Sequence, residues 1–289
     1  MKFGLGLNPQ NNLPEISRLA KIAEDVGFEY LWLCDYPNID IELYLKEIAK
    51  QTTTIKFGHG VTNPIIKEPK TIITEINNIN EISNRSVIGL SVGSKSQADE
   101  LKINWENPIT KLSQTINLIS ENCKGVPIYI EGQSNNIIEK FKRNANGIFI
   151  TASNPKDFEN INLKKDVEIC AYSATSIGYD SENTKNASKI VVAFTIAGLP
   201  PHKLELHKTP QKIYENIKMS LTKGNIVGAM KLVDDNLLNE YSITGTPYEI
   251  IDKINDLKNV GVGQFIVSYP IGSNIDSSLK LFKDVISTF

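Results

Sequence analysis

A (β/α)8 barrel of the TIM type, an α/β fold, is what this sequence predicts, and three observations predict it. Short runs rich in Ile, Val, Tyr and Phe alternate along the whole chain with longer amphipathic runs. Eight strand-like runs can be read in this alternation. The length, 289 residues, is that of one such barrel. Repeated strand–helix units imply parallel strands joined by right-handed crossovers. An open doubly wound sheet is the competing arrangement, and eight units at this length favour closure. No linker or low-complexity segment divides the chain, so residues 1–289 read as one domain.

Each element has its own signal. Residues 2–7 (KFGLGL) read as the first strand. A helix follows over 13–26, with Leu13, Ile16, Leu19, Ala20, Ala23 and Val26 at helical spacing, and Gly27 fits the left-handed residue that ends it. Residues 30–34 (YLWLC), 55–61 (IKFGHGV) and 87–92 (VIGLSV) are the next strands. Helices over 41–49, 69–82 and 108–123 come after them in turn. The second half continues with strands over 127–130 (PIYI), 147–151 (GIFIT), 167–172 (VEICAY) and 264–268 (QFIVS). Helical runs lie over 136–144, 187–197, parts of 210–238, and 277–288.

Composition excludes several classes. Hydrophobic residues make up 40% and charged residues 22%, enough apolar material for a large core and against disorder. A net charge of −2, with no Lys/Arg-rich run, gives no footprint for nucleic acid. Cys34, Cys123 and Cys170 form no CxxC pair, and His59, His202 and His207 form no helical pair, so neither a disulfide framework nor a metal site is expected. Sparse cysteines fit a reducing cytoplasm. No run approaches a membrane span, and the N-terminal MKFGLGLNPQ reads as a strand, not as a secretion signal.

Chemistry in such barrels sits at the C-terminal ends of the strands. The residues there are Asn8-Pro9, Asp35-Tyr36, 58–64 (GHGVTNP), Gly93-Ser94-Lys95, 131–134 (EGQS), 152–154 (ASN), 172–176 (YSATS) and 269–272 (YPIG). This mouth is rich in small, hydroxyl and amide residues and poor in charge. It suits a cofactor whose own ring carries the reaction, because small residues admit a flat ring or a phosphate close to the backbone. It holds no nucleophile–base pair of a hydrolase and no P-loop spacing. Plainer readings stand beside these. Asp35 also fits a helix cap, Gly93-Ser94-Lys95 an ordinary turn, Gln133 a partner for backbone groups, His59 a core histidine, and Tyr36 and Tyr269 rim aromatics.

The blocks KFGLGLNP, AEDVGFEYLWLCD, TIKFGHGVTNP, INEISNRSVIGLSVGSK, INWENP, PIYIEGQ, ASNPKDFE, AYSATSI, KIVVAFTIAGLPP, ITGTP and VSYPIG span nearly the whole chain. In the same order, they resemble the methylenetetrahydromethanopterin reductases, a family within the bacterial-luciferase-like barrels. The resemblance implies an archaeal enzyme that uses the deazaflavin coenzyme F420 to pass a hydride to methylene-tetrahydromethanopterin, and a homo-oligomer. It implies a cis peptide between Gly60 and Val61 behind the deazaflavin ring. Asp35, Thr62 and Asn63 match cofactor-proximal positions, and Gly93, Ser94 and Lys95 match the turn near the phosphate-bearing tail. Gln133, beside Gly132, matches a glutamine facing the pterin and the ring. Gln133 and Asp35 are thus the expected catalytic side chains, and Gly60, Val61, Thr62, Asn63, Gly93, Ser94, Lys95 and Gly132 the expected cofactor contacts.

Three departures bear on activity. The family carries an acidic residue on its first strand, where this chain has Gly6. It has Asp-His after the second strand, where this chain has Asp35-Tyr36. It also carries a hairpin that this chain omits between Lys124-Gly125 and the fifth strand. Loss of a general acid typically costs ~10²–10⁴ in rate. Glu131 is a candidate substitute. The alternative is a non-catalytic paralogue that holds the deazaflavin, the pterin or a protein partner.

Overall fold

The computed structural model describes residues 1–9, 12–132, 134–159, 161 and 167–289. The chain forms two compact units, one of residues 2–150 and 162–170, the other of residue 1, 151–161 and 171–289. The first unit runs β1 (Lys2–Leu7), α1 (Leu13–Val26), β2 (Tyr30–Leu33), α2 (Ile41–Gln51), β3 (Lys56–Thr62), α3 (Pro69–Asn80), β4 (Ser86–Leu90), α4 (Lys95–Glu100), α5 (Pro108–Asn122), β5 (Ile128–Glu131), α6 (Asn135–Phe141) and β6 (Gly147–Ile150). The six strands pair in parallel, each with the next in sequence. They are almost wholly buried. Strands covered on both faces read as near-continuous apolar runs, which is what made them visible in the sequence.

Local chemistry sets the helix ends. The Asn12 side chain accepts from the Glu15 amide to start α1, and Gly27, at φ 111°, ends it with its N–H donating to Ala23 and Glu24 carbonyls. Asp40 and Asn107 cap α2 and α5 in the same way. The expected helices over 13–26, 41–49, 69–82 and 108–123 all form, with shifts of a few residues at their ends. Between α5 and β5 lie only residues 123–127, so the hairpin expected of the family is absent there.

Four aromatic rings from three strands mesh with glycines inside this unit. Trp32 lies 4.9 Å from Tyr129 and 4.7 Å from Phe149, both edge-on, and stacks on Tyr30 at 5.8 Å. A Cβ on Gly147 would lie 2.5 Å from the Tyr129 ring, one on Gly60 2.5 Å from the Trp32 Cβ, and one on Gly89 2.8 Å from the Phe149 ring. Glycines on neighbouring strands make room for large rings, and each fully buried ring contributes roughly 1.5–3 kcal/mol or more.

Polar pins hold the segment that leads into β3. Glu24 Oε1 on α1 accepts from the Thr53, Thr54 and Ile55 amides at 2.8, 2.6 and 3.1 Å. Arg85 donates to the Ala49, Thr52 and Ile55 carbonyls. These backbone groups lie in the last turn of α2 and in the loop before β3, where the helix no longer satisfies them, and the two side chains do it instead.

The second unit holds β7 (Glu168–Ile177) from Ala171 onward, α7 (Ser181–Gly198), α8 (Pro201–Leu206), α9 (Gln211–Thr222), α10 (Ile226–Lys231), α11 (Asp235–Tyr241), β8 (Ile243–Gly245), α12 (Pro247–Asn259), β9 (Gln264–Ile271) and α13 (Ile275–Ile286). Helices α7 to α11 pack around Val192, Ile196, Ile217, Ala229, Val233 and Leu238. The three-residue strand β8, which pairs in parallel with the end of β7, was not expected. Helix α7 starts at Ser181, not at 187, because Asp180 caps it through the Asn183 amide. His207 stands between two carboxylates, with Nε2 3.2 Å from Asp157 and Nδ1 3.0 Å from Glu240. Asn154, which follows β6, donates to Glu240 as well. Among the described residues no helix is long and apolar enough to cross a membrane.

Candidate functional site

The candidate site lies in the first unit, at the C-terminal ends of β2, β3 and β4. Strand β3 leaves the regular ladder here, as its pairing with β4 shifts between His59 and Thr62. The Gly60–Val61 peptide in that stretch is cis, as the resemblance implies. The Thr62 carbonyl still accepts from the Ser91 amide at 2.9 Å, so the strands re-pair beyond the irregularity.

Asn63 begins the turn that follows. Its Oδ1 accepts from the Ile65 amide at 2.9 Å and its carbonyl accepts from the Lys67 amide at 2.9 Å. The other end of the side chain, Nδ2, is buried without a hydrogen-bond partner. A buried amide left open is costly, by about 1–3 kcal/mol, and marks a donor available to a ligand. Gly93 lies directly against this amide.

Asp35, just beyond β2, is the centre of a buried charge cluster. Its side chain is 6% exposed, and Oδ2 contacts Lys67 Nζ at 2.7 Å. Lys67 Nζ also lies 2.9 Å from Glu75 Oε1 and 3.2 Å from Oε2. His59 Nε2 is 3.1 Å from Glu75 Oε2 and 3.9 Å from Asp35 Oδ2. The Lys67 contact on Asp35 is an ion pair without good hydrogen-bond geometry, so Oδ2 counts among the buried oxygens that lack a hydrogen bond. Burial works to raise the Glu75 carboxyl, but the hydrogen bond and charge of His59 and then Lys67 outweigh it and hold Glu75 below its usual value.

The remaining expected residues are placed less centrally. Ser94 caps α4, accepting from the Gln97 amide at 3.2 Å, and Lys95 points outward to pair with Asp99 at 2.7 Å. The turn geometry accounts for both side chains without a ligand. Gly132 donates its N–H to the Phe149 carbonyl at 2.9 Å, and a Cβ there would meet Ile138 and Ile148 at 2.7 Å. Gln133 lies outside the described residues. Tyr36 is exposed, and Gly6 is buried in β1, in register with Trp32. Glu131 ends β5, half-buried and in register with Phe149. His59, which also reads as a core histidine, is buried and engaged with Glu75.

Lys67 and Glu75 escaped the sequence reading. Glu75 did carry a signal, since it falls on the face of α3 that buries Ile72, Ile76 and Ile79. A charge at a core-facing helical position calls for a buried partner. Among the described residues no group of three or more His, Cys, Asp or Glu side chains is arranged to hold a metal ion.

Comparison with known proteins fits this architecture. Residues 1–159 match the luciferase-like monooxygenase family. The chain is 33% identical over 328 residues to 5,10-methylenetetrahydromethanopterin reductase of Archaeoglobus fulgidus, covering 99% of each chain. It is 32% identical to the enzyme of that name from Methanolobus tindarius, covering 99% of this chain and all of the relative. The structure of the coenzyme F420 dependent tetrahydromethanopterin reductase from Methanopyrus kandleri superposes with a TM-score of 0.95 at 29% identity, covering 100% of this chain and 99% of the other. An F420-dependent secondary alcohol dehydrogenase shares the fold at 15% identity and a TM-score of 0.73. The fold is the expected (β/α)8 TIM barrel, a closed barrel of eight parallel strands surrounded by helices. By full-length identity and by fold, the chain belongs to the luciferase-like barrels and, within them, to the 5,10-methylenetetrahydromethanopterin reductase family.

Proposed function

We propose that this protein is a coenzyme F420-dependent oxidoreductase that moves a hydride between the reduced deazaflavin and a methylene-tetrahydromethanopterin-like pterin. Full-length identity of 33% to a reductase of that name carries the reading. The site supports it with its own chemistry. Asn63 Nδ2 and Asp35 Oδ2 are buried polar atoms without a hydrogen bond, and Gly93 packs directly against the Asn63 amide. Such a site fits a flat, polar heterocycle.

The deazaflavin, when bound, supplies the hydride. The protein's part is to bind, orient and manage a proton. Gly60 and Val61 offer backbone to the ring, and Thr62 and Asn63 offer a hydroxyl and an amide. Gly93, Ser94 and Lys95 form the turn assigned to the phosphate-bearing tail, and the family match assigns Gly132 to the cofactor and Gln133 to the pterin and the ring. Reduction of a methylene bridge to a methyl group breaks a C–N bond, and the released nitrogen takes up a proton. Gly6 has no side chain to give one, which leaves Asp35 and Glu131 as the carboxylates assigned to that end of the strands.

We read residues 1–289 as a single barrel domain and the working form as a homo-oligomer. Equilibrium dialysis against F420, followed by turnover of reduced F420 with methylene-tetrahydromethanopterin, tests the proposal. Micromolar or tighter binding with turnover is expected. Absence of F420 binding overturns the proposal, and binding of both ligands without turnover transfers the protein to the non-catalytic reading.

A further inference from the structure

We infer that Lys67, Glu75 and His59 are positioning residues that hold the Asp35 carboxylate in place for the bound deazaflavin. The inference rests on the proposed function and adds residues that neither the sequence reading nor the family resemblance assigns.

The geometry is a closed ring of contacts. Lys67 Nζ bridges the two carboxylates, at 2.7 Å from Asp35 and 2.9 Å from Glu75, and His59 Nε2 faces both, at 3.9 and 3.1 Å. The four side chains come from the segment after β2, from β3, from the turn after β3, and from α3. Side-chain exposure is 1% for His59, 6% for Asp35, 9% for Glu75 and 19% for Lys67. Burial of charges on this scale is poor economy for stability alone, because well-packed apolar residues serve a core as well or better. Helix α3 already supplies such residues at Ile72, Ile76 and Ile79 and yet places Glu75 among them.

Two features tie the cluster to the ligand side. Asp35 Oδ2 is held by the charge of Lys67 and yet is buried without a hydrogen bond of its own, which leaves it an acceptor for a ligand donor. His59 directly precedes Gly60, so the same cluster links Asp35 to the irregular backbone of β3. Fixing a ligand-facing group through a buried ion-pair network is how a site avoids reorganisation on binding.

The test is the F420 dissociation constant, by equilibrium dialysis, for wild type, Lys67→Met, Lys67→Arg and Glu75→Gln, with thermal unfolding on the same preparations. Lys67→Met is expected to weaken F420 binding by about tenfold or more, as removing one partner of a buried charge pair does, and Lys67→Arg to restore it to within about threefold. Glu75→Gln keeps the shape of the site and is expected to fall between them. A double-mutant cycle then separates positioning from mere support. In the Asp35→Asn background, Lys67→Met is expected to change the affinity by less than about threefold, because its effect runs through Asp35. Equal losses in both backgrounds, or wild-type affinity in folded Lys67→Met, overturn the inference while leaving the proposed function standing. Failure of the wild type itself to bind F420 overturns both.

Discussion

The Asn63 side-chain amide lies so close to Gly93 that a Cβ on Gly93 would fall 1.7 Å from Asn63 Nδ2. Gly93 also has a φ of +71°, a conformation that side chains resist. Gly93→Ala is expected to cost about 2–4 kcal/mol, combining left-handed strain with a clash that displaces the amide. Gly125 has a similar φ, +83°, with nothing within 4 Å of a built Cβ, so Gly125→Ala is expected to cost only about 1 kcal/mol. Urea unfolding of the two variants measures the difference, and F420 affinity is expected to fall in the first alone.

Glu24 should make the protein acid-sensitive in a definite window. Burial works to raise its carboxyl, but backbone hydrogen bonds from Thr54, Ile55 and Thr53 win and bring it down to about 2 from 4.5. A folded value below the unfolded one stabilises the protein above about pH 4.5, and that stability is lost as the pH falls towards 2. Glu24→Gln is expected to lose about 1–3 kcal/mol at pH 7. The gap to wild type should narrow as the pH drops below 4, as followed by urea midpoints across the range.

The His207 clamp should respond in the opposite direction. Burial works to lower the imidazole, but hydrogen bonds to Asp157 and then Glu240 raise it above 6.5. Its contribution is complete below the unfolded value and disappears as the pH rises through the raised folded one. His207→Gln is expected to flatten the stability profile as the pH rises above about 6.5, and a variant as steep as wild type there would show that another group is responsible.

Restoring an acid on the first strand should raise turnover. Gly6→Glu is expected to increase the rate by about tenfold or more without weakening F420 binding. No gain in a variant that binds both ligands would show that the missing carboxylate does not limit the reaction.

Much of the fold was legible because fully buried strands and amphipathic helices leave strong local patterns. Strand β8 was not, since Ile243–Gly245 is too short to show a period. In the candidate site, the irregularity at Gly60–Val61 and the closeness of Asn63 to Gly93 involve residues that the sequence had singled out. The partners of Asp35 were hidden for a different reason. Lys67 and Glu75 stand 32 and 40 positions away in the chain, and only the folded barrel brings them to one point. Ser94 and Lys95 had both readings open in the sequence, an ordinary turn and a cofactor contact, and in the fold Ser94 caps a helix while Lys95 pairs with Asp99 at the surface.

The interleaving of Trp32, Tyr129 and Phe149 with Gly60, Gly89 and Gly147 also bears on how this protein can change over time. A methyl group added at any of these glycines collides with a ring or with the chain beneath it, and a shortened ring leaves a void that its glycine neighbours cannot fill. Single substitutions on this wall are therefore penalised in either direction. The interior can be remodelled only by paired exchanges on neighbouring strands, which leaves drift in the loops as the easier route to new specificity.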